Sequence, residues 1–165
     1  MKDLILIAHN LRSAHNVGSL LRTAEGLGAT VIFTGYTPYP TLPTGDSRLP
    51  HQSAKLTKQI SKTALGAETC ALWRREADIA SVIARLKREG YTVAALEQTP
   101  HSVRLPGYCP PDKLALILGR EVEGVEAEIV KACDLALVIP MFGKKESFNV
   151  VQAAAMAMYH WRFYD

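Results

Sequence analysis

The C-terminal stretch, residues 114–165, constrains the fold more than any other part of the chain. It reads as strand, glycine turn, helix, strand, proline turn and helix: LALILGREVEGVEAEIVKACDLALVIPMFGKKESFNVVQAAAMAMYHWRFYD. Continuous apolar runs such as LALIL are typical of strands that are covered on both faces. In an open α/β sheet, ligands bind outside the carboxyl ends of the strands. The loops at 119–124 and 140–149 are therefore predicted to open onto one crevice that holds a cofactor.

The rest of the chain alternates apolar runs with amphipathic segments. Strands are predicted at residues 4–8, 30–34, 68–73 and 91–96, helices at 16–28 and 76–89, and a short helical piece within 51–66. A long connection at 35–50 holds four of the nine prolines, and its length suggests function or mobility. Alternating strands and helices predict an α/β fold with a mostly parallel sheet and helices on both faces. We expect a single domain spanning residues 1–165.

The composition is that of an ordinary globular protein, with 48% hydrophobic and 21% charged residues and a net charge of +3. This mildly basic balance permits a nucleic-acid partner without requiring one. Three cysteines without metal-ligand spacing indicate free thiols in a reducing compartment. No apolar run approaches the ~18 residues of a membrane span, and no signal peptide is visible. We expect a cytoplasmic protein with no membrane association and no metal.

The first cluster of polar residues lies in the segment NVGSLLR, which contains Asn16 and Arg22. Asn16 falls at the predicted start of the first helix, where it either caps the helix or faces the crevice. Arg22 follows almost two turns later and is either a solvated surface residue or part of the same site.

The second cluster is the turn GREVEG, which begins at Gly119. A strand that ends in glycine allows the backbone to approach a ligand closely. Glu121 then lies either beside that ligand or in a charged turn before the next helix. The spacing is neither GxGxxG nor a P-loop, which argues against NAD and ATP.

The third cluster follows the proline turn. Ser147 is a good N-cap for the last helix, so its hydroxyl is either structural or functional. Asn149 falls on the first turn, where free N–H groups and the helix dipole favour a polar or anionic ligand. A fourth, basic cluster either holds phosphates or is a solvated face. It comprises Lys55, Lys58 and Lys62, with Arg48 and His51 upstream and Arg74 and Arg75 later.

Taken together, these segments resemble a known family. The blocks NVGSLLRTAEGLG, LILGREVEGV and IPMFGKKESFNVVQAAAMAMY, with ISKTALGAE between the first two, are similar to signature blocks of the TrmH/SpoU group of SPOUT methyltransferases. The resemblance covers nearly the whole chain. It implies methyl transfer from S-adenosylmethionine (AdoMet) to a ribose 2′-hydroxyl of RNA by a homodimer. It also implies a C-terminal trefoil knot around the cofactor pocket, a threading that periodicity does not predict.

The matching blocks imply roles for particular residues. Arg22 is the expected catalytic arginine and Asn16 supports it, while Glu121, Ser147 and Asn149 complete the catalytic site. The expected cofactor contacts, largely from the backbone, are Leu96, Gly119, Ile139 and Met141, with Ser147 nearby. Two positions, Phe148 and Gln152, depart from what many relatives carry. No appended RNA-binding domain is expected, and for that reason tRNA is favoured over rRNA as the substrate.

The last predicted helix is apolar nearly all round from residue 150 to 161, with alanines that permit close approach. Such a helix is buried on every side, so one face is expected to cover the sheet and the other to meet a twofold partner. Burial wholly within one chain is the alternative.

Two functions other than ribose methylation stay open: a non-catalytic RNA- or nucleotide-binding protein of this fold, and an RNA base methyltransferase. The asparagine-to-arginine block favours ribose.

Overall fold

A computed structural model describes residues 2–164. Its strands are β1 (Asp3–His9), β2 (Thr30–Thr34), β3 (Trp73–Arg75), β4 (Thr92–Leu96), β5 (Val103–Arg104), β6 (Lys113–Leu118) and β7 (Leu135–Val138). Its helices are α1 (Ala14–Leu27), α2 (Pro50–Ala64), α3 (Ala67–Cys70), α4 (Ile79–Arg88), α5 (Ala127–Ala132) and α6 (Val150–Phe163). The strands form one parallel sheet in the order β3-β2-β1-β6-β4-β7-β5.

The sheet is covered on both faces, which confirms the predicted α/β class. Successive side chains of a strand point to opposite faces, and in β1 both sets are buried. Leu4 and Leu6 pack in the core that also includes residues of α1, α2 and α6. Ile5 and Ile7 pack in the second core, with residues of α4 and α5. The continuous apolar run of β1 therefore reflects a strand buried between two helical layers.

The segment predicted as a strand at 68–73 is different in the structure. Residues 67–70 form the short helix α3, and the strand β3 begins only at Trp73. The Glu68 carboxylate accepts hydrogen bonds from the Ser61 hydroxyl and the Gly66 N–H. These local bonds favour a helical turn over an extended chain. The piece predicted within 51–66 is the 15-residue helix α2.

Two helices begin at caps other than those the sequence suggested. Ser13, not Asn16, caps α1, and its Oγ accepts a hydrogen bond from the Asn16 N–H at 3.2 Å. Asn149, not Ser147, caps α6, and its Oδ1 accepts from the Val151 N–H at 2.9 Å. The predicted stop of α1 is confirmed, since Gly28 adopts the left-handed conformation, with φ 66°. The side chains of Asn16 and Ser147 are therefore not used as helix caps.

Helices α1 and α2 lie unusually close together. A Cβ atom at Gly18 of α1 would stand 2.2 Å from the Ile60 carbonyl oxygen of α2. Only glycine permits this approach, so the two helices are fixed against each other. On its other side α1 contacts α6, where the Arg162 guanidinium donates to the Leu27 carbonyl at 2.9 Å.

Helix α6 also binds the connection between β5 and β6, because Trp161 Nε1 donates to the Pro111 carbonyl at 2.9 Å. The trefoil threading of the C-terminal segment stays a prediction. All three cysteines are free, as expected. Across residues 2–164, no helix has both the length and the apolar character to cross a membrane.

A candidate active site at the carboxyl ends of three strands

A cavity of about 850 Å³ opens where β6, β4 and β7 end side by side. Its walls come from the segments at 96–100, 118–124, 137–141 and 146–153. The residues expected to contact a cofactor all line it: Leu96, Gly119, Ile139, Met141 and Ser147. Glu121 lines it as well. The prediction that the loops at 119–124 and 140–149 open onto one crevice is confirmed, while the roles of the individual residues stay predictions.

Gly119 is required by the turn that follows β6. Arg120 and Gly124 exchange backbone hydrogen bonds of 3.1 and 3.0 Å across this turn. A Cβ atom at Gly119 would stand 2.3 Å from the carbonyl carbon of Gly124 and from the Val125 nitrogen. The missing side chain therefore allows the turn to fold back on the strand. The sequence suggested instead that glycine served the approach of a ligand.

Glu97, which the sequence did not single out, fastens two walls of the cavity together. It follows β4 directly, and its carboxylate accepts from the Gln98 N–H at 2.9 Å and from the Val125 N–H at 2.8 Å. Gly124 has φ 72°, and a Cβ atom there would stand 2.1 Å from Glu97 Oε2. An acidic residue immediately after a buried strand was the available signal, since such positions meet at the ligand edge of a parallel sheet.

Glu121 joins the cavity to the start of α1. Its carboxylate accepts from the Arg12 N–H at 3.1 Å, the Ser13 N–H at 3.0 Å and Asn16 Nδ2 at 3.0 Å. Partial burial by itself raises the pKa of the Glu121 carboxyl. The three donors outweigh burial, so the pKa lies below its ordinary value. The group is therefore ionised at neutral pH and holds Asn16 in place.

Asn149 caps α6 and contacts Asn16, whereas Ser147 lines the cavity. While Asn149 Oδ1 caps α6, its Nδ2 lies 3.4 Å from Asn16 Oδ1, a long hydrogen bond. Ser147 lines the cavity directly. Asn16, Glu121 and Asn149 thus form a chain of polar contacts at one side of the cavity.

Arg22 does not join this chain. Its side chain is exposed and lies outside the cavity lining. It follows Asn16 by six residues, which corresponds to about 9 Å along the helix axis and a rotation of roughly 120° away from it. Within a single chain, Asn16 therefore reaches the cavity-lining Glu121, whereas Arg22 does not. Asn16 and Asn149 themselves lie outside the cavity lining.

A second polar network joins the ends of β1 and β2 to Glu126, which follows the turn after β6. Asn10 Nδ2 donates to Glu126 Oε1 at 3.0 Å, and His9 Nδ1 lies 2.8 Å from Thr34 Oγ1. Burial lowers the pKa of His9 despite the nearby Glu126 carboxylate, so the imidazole is neutral at pH 7. The sequence did not single out these residues as functional candidates. They support the turn that contains Arg120, which lies 3.6 Å from Glu126.

Comparison with known proteins identifies the family. Residues 46–159, well over half of the chain, match the model of the SpoU rRNA Methylase family. The chain belongs to this family. The resemblance drawn from the three sequence blocks is thereby confirmed.

Individual relatives in the SpoU family differ in the RNA that their names specify. The tRNA (guanosine(18)-2′-O)-methyltransferase TARBP1 of Mus musculus is 29% identical over 96% of this chain and 9% of its own length. The 23S rRNA (guanosine-2′-O-)-methyltransferase RlmB of Neisseria meningitidis is 28% identical over 94% of this chain and 56% of its own length. The chain thus spans about half of one relative and a tenth of the other.

A solved structure of the same fold contains the expected cofactor. The AdoMet-bound rRNA methyltransferase from Sinorhizobium meliloti superposes with a TM-score of 0.78 at 21% identity, covering 97% of this chain and 56% of that one. At this level of identity the similarity establishes the fold.

Proposed function

We propose that this protein transfers a methyl group from AdoMet to a ribose 2′-hydroxyl of RNA. The observation that carries the proposal is the cavity at the ends of β4, β6 and β7, which gathers every residue expected to contact the cofactor. Membership of the SpoU family supports the same reaction, since the TARBP1 and RlmB relatives are named for 2′-O-methylation.

The cavity suits AdoMet in size and in chemistry. Its volume of about 850 Å³ lies within the range of roughly 300–1,000 Å³ that is usual for small-molecule sites. Backbone groups at Leu96, Gly119, Ile139 and Met141 would hold the cofactor at the strand ends. When bound, AdoMet supplies an electrophilic methyl group on a positively charged sulfur. Rigid walls fastened by Glu97 would orient that methyl group, and orientation alone lowers a barrier by several kcal/mol.

The polar chain at the cavity would position the RNA. In this proposal Glu121 stays ionised and holds Asn16, and Asn149 and the Ser147 hydroxyl orient the ribose or the polar end of the cofactor. The 2′-hydroxyl must lose its proton as the new bond forms. A guanidinium keeps its proton at neutral pH and is a poor base. Arg22 is therefore proposed to clamp a neighbouring phosphate or to stabilise the developing alkoxide.

A second copy of the chain would bring Arg22 to the cavity. One face of α6 is buried, through Ala154, Ala157, Met158 and Trp161. The other face leaves Tyr159 62% and Phe163 58% exposed, beside a shallow depression lined by Ala155, Met156, His160 and Tyr164. Exposed aromatic side chains at the rim of an apolar depression are typical of interaction surfaces. We propose that a twofold partner covers this face.

Nucleoside analysis tests the proposed reaction. The purified protein is incubated with labelled AdoMet and with tRNA or rRNA from a strain that lacks the gene, and the digested nucleosides are identified by mass spectrometry. A new 2′-O-methyl nucleoside is expected, with tRNA proposed ahead of rRNA as the substrate. A methylated base instead would establish the base-methyltransferase alternative. Absence of AdoMet binding in calorimetry would favour the non-catalytic binding protein.

A further inference from the structure

Helix α2 presents three lysines on one exposed face. Lys55, Lys58 and Lys62 are spaced three and four residues apart, so they lie on one side of the helix. All three are exposed, whereas Ser53, Ile60 and Ala64 are buried. Lys55 and Lys62 are about 10 Å apart along the helix axis. The face is therefore a row of charges rather than a single point charge.

These lysines have no acidic partner in the part of the chain that the structure describes. No Asp or Glu occurs from residue 47 to residue 67. On the opposite side of the sheet, Lys87 and Lys131 pair with Asp134 and Glu128 at 2.8 and 2.9 Å. The formal net charge of the whole chain is only +3. Three uncompensated lysines on one helix therefore concentrate positive potential on a molecule that is otherwise nearly balanced.

The packing of α1 against α2 places Arg22 beside α2, and the lysine row lies on the side of α2 that faces away from α1. Gly18 fixes α1 against residues 60–64 of α2. Arg22 follows Gly18 by four residues, so it emerges on the same side of α1, beside α2. Arg22 and the lysine row thus belong to one rigid helix pair, although they lie on different sides of α2.

The same packing connects the lysine row to the residues around the cavity. Thr63 Oγ1 donates to the His15 carbonyl at 2.7 Å. Lys62 precedes Thr63, and His15 precedes Asn16, which binds Glu121 at the cavity. The C-terminal end of α2 therefore lies beside the polar chain of the candidate site.

We propose that Lys55, Lys58 and Lys62 hold the sugar-phosphate backbone of the RNA substrate and lead it to Arg22. The proposal rests on the proposed function for its substrate class. Lysine is a flexible point charge that binds phosphate without reading a base. The row therefore sets the path and direction of the RNA strand but carries no sequence preference.

A salt titration of RNA binding tests this surface. Dissociation constants for tRNA from a strain lacking the gene are measured between about 50 and 200 mM KCl, since each phosphate contact adds roughly 0.7–0.9 to the slope of log affinity against log salt. The combined K55A, K58A and K62A variant is expected to lower the slope by about 2 to 3. Binding of AdoMet, followed by calorimetry, is expected to stay unchanged.

A charge-matched variant on the other face of the sheet provides the control. The combined K87A, R88A and K131A variant removes the same number of positive charges from α4 and α5. Its salt slope is expected to differ from the wild-type slope by less than the roughly 0.7–0.9 that one phosphate contact contributes. Equal slopes for the two triple variants would overturn the proposal, as would an α2 variant that keeps the wild-type slope. Wild-type binding to phosphatidylserine vesicles as tight as to tRNA would also overturn it. Because binding is measured without methyl transfer, a failed proposed function and a failed RNA surface give different results.

Discussion

Asn16 donates from Nδ2 to Glu121 Oε1 at 3.0 Å and so joins the first turn of α1 to the loop after β6. The two residues are 105 positions apart in the chain. Backbone N–H groups of Arg12 and Ser13 bind the same carboxylate. One ionised side chain therefore fixes the start of a helix beside the cavity, and the geometry of the site depends on it.

Replacing Glu121 with glutamine is expected to lower the free energy of unfolding by about 1 kcal/mol at pH 7, because partly exposed charged hydrogen bonds become neutral ones. The folded-state pKa of Glu121 is lowered, so its contribution is present above the unfolded pKa of about 4.3 and is lost as pH falls through the folded value. Urea unfolding at pH 7 and near pH 3 should show a difference that shrinks with acid. Glu128→Gln, at an exposed carboxylate on α5, is the control. Equal losses in both variants would contradict the assignment.

Adding one methyl group at Gly119 is expected to open the turn after β6. The new Cβ atom would stand 2.3 Å from backbone atoms of Gly124 and Val125, which have no side-chain freedom with which to relieve the clash. Gly119→Ala should weaken AdoMet binding at least tenfold in calorimetry, a difference of about 1.4 kcal/mol. The matched change, Gly26→Ala in α1, has open space around it in the described chain. It should stabilise the helix by roughly 0.5–1 kcal/mol and leave AdoMet binding unchanged. Unaltered AdoMet affinity in Gly119→Ala would remove the turn from the cofactor site.

Ser147 and Asn149 are expected to separate catalysis from stability. Ser147→Ala removes a hydroxyl that lines the cavity but does not cap α6, so methyl transfer should fall while the melting temperature stays constant. Asn149→Ala removes the cap and should cost about 1 kcal/mol of stability. Asn149→Asp keeps a capping oxygen and loses the Nδ2 donor to Asn16. Its stability should recover while its activity does not. Thermal unfolding and transfer rates measured on the three variants decide this, and a destabilised Ser147→Ala would show that the hydroxyl has a structural role.

Arg22→Ala is expected to abolish methyl transfer while AdoMet still binds, because the residue is proposed to act on the RNA and lies outside the cavity lining. Arg22→Lys distinguishes a bidentate clamp from a simple positive charge. Single-turnover transfer and AdoMet calorimetry are the measurements. Near-full activity of the lysine variant would rule out a need for the planar guanidinium. Loss of AdoMet binding in Arg22→Ala would show that the assignment of Arg22 is wrong.

Two variants that each lack one part of the site are expected to restore activity when they are mixed, at an AdoMet concentration too low to saturate Gly119→Ala. If Arg22 serves the cavity of a twofold partner, a mixture of Arg22→Ala and Gly119→Ala forms hybrid dimers with one complete site each. With free subunit exchange and equal amounts, about one quarter of the wild-type rate should return. Light scattering and transfer assays on the same samples provide the result. Hybrid dimers that form without any activity would place Arg22 in its own subunit's site.

Tyr159→Glu combined with Phe163→Glu is expected to yield monomers, because it charges the uncovered face of α6.

Much of the site could be predicted because it depends on local pattern. A continuous apolar run specifies a buried strand, and parallel strands bring their carboxyl ends to one edge. That is why Leu96, Gly119 and Ile139, which end or directly follow three separate strands, line one cavity. Glu97 also follows the carboxyl end of a strand, but the sequence did not mark it as a site residue. Its importance arises from its contact with the Val125 N–H in the loop after β6.

The sequence alone determined the class of fold, the edge of the sheet that carries the site and the family to which the chain is similar. The tertiary structure decided which of two nearby polar residues caps a helix. Ser13 rather than Asn16 caps α1, and Asn149 rather than Ser147 caps α6. It also decided that Asn16 reaches Glu121 while Arg22 turns away toward α2. Strand and helix periodicity act over a few residues, so the sequence displays them directly. Contacts such as that between Asn16 and Glu121 depend on how whole helices are rotated and packed, which no local pattern contains.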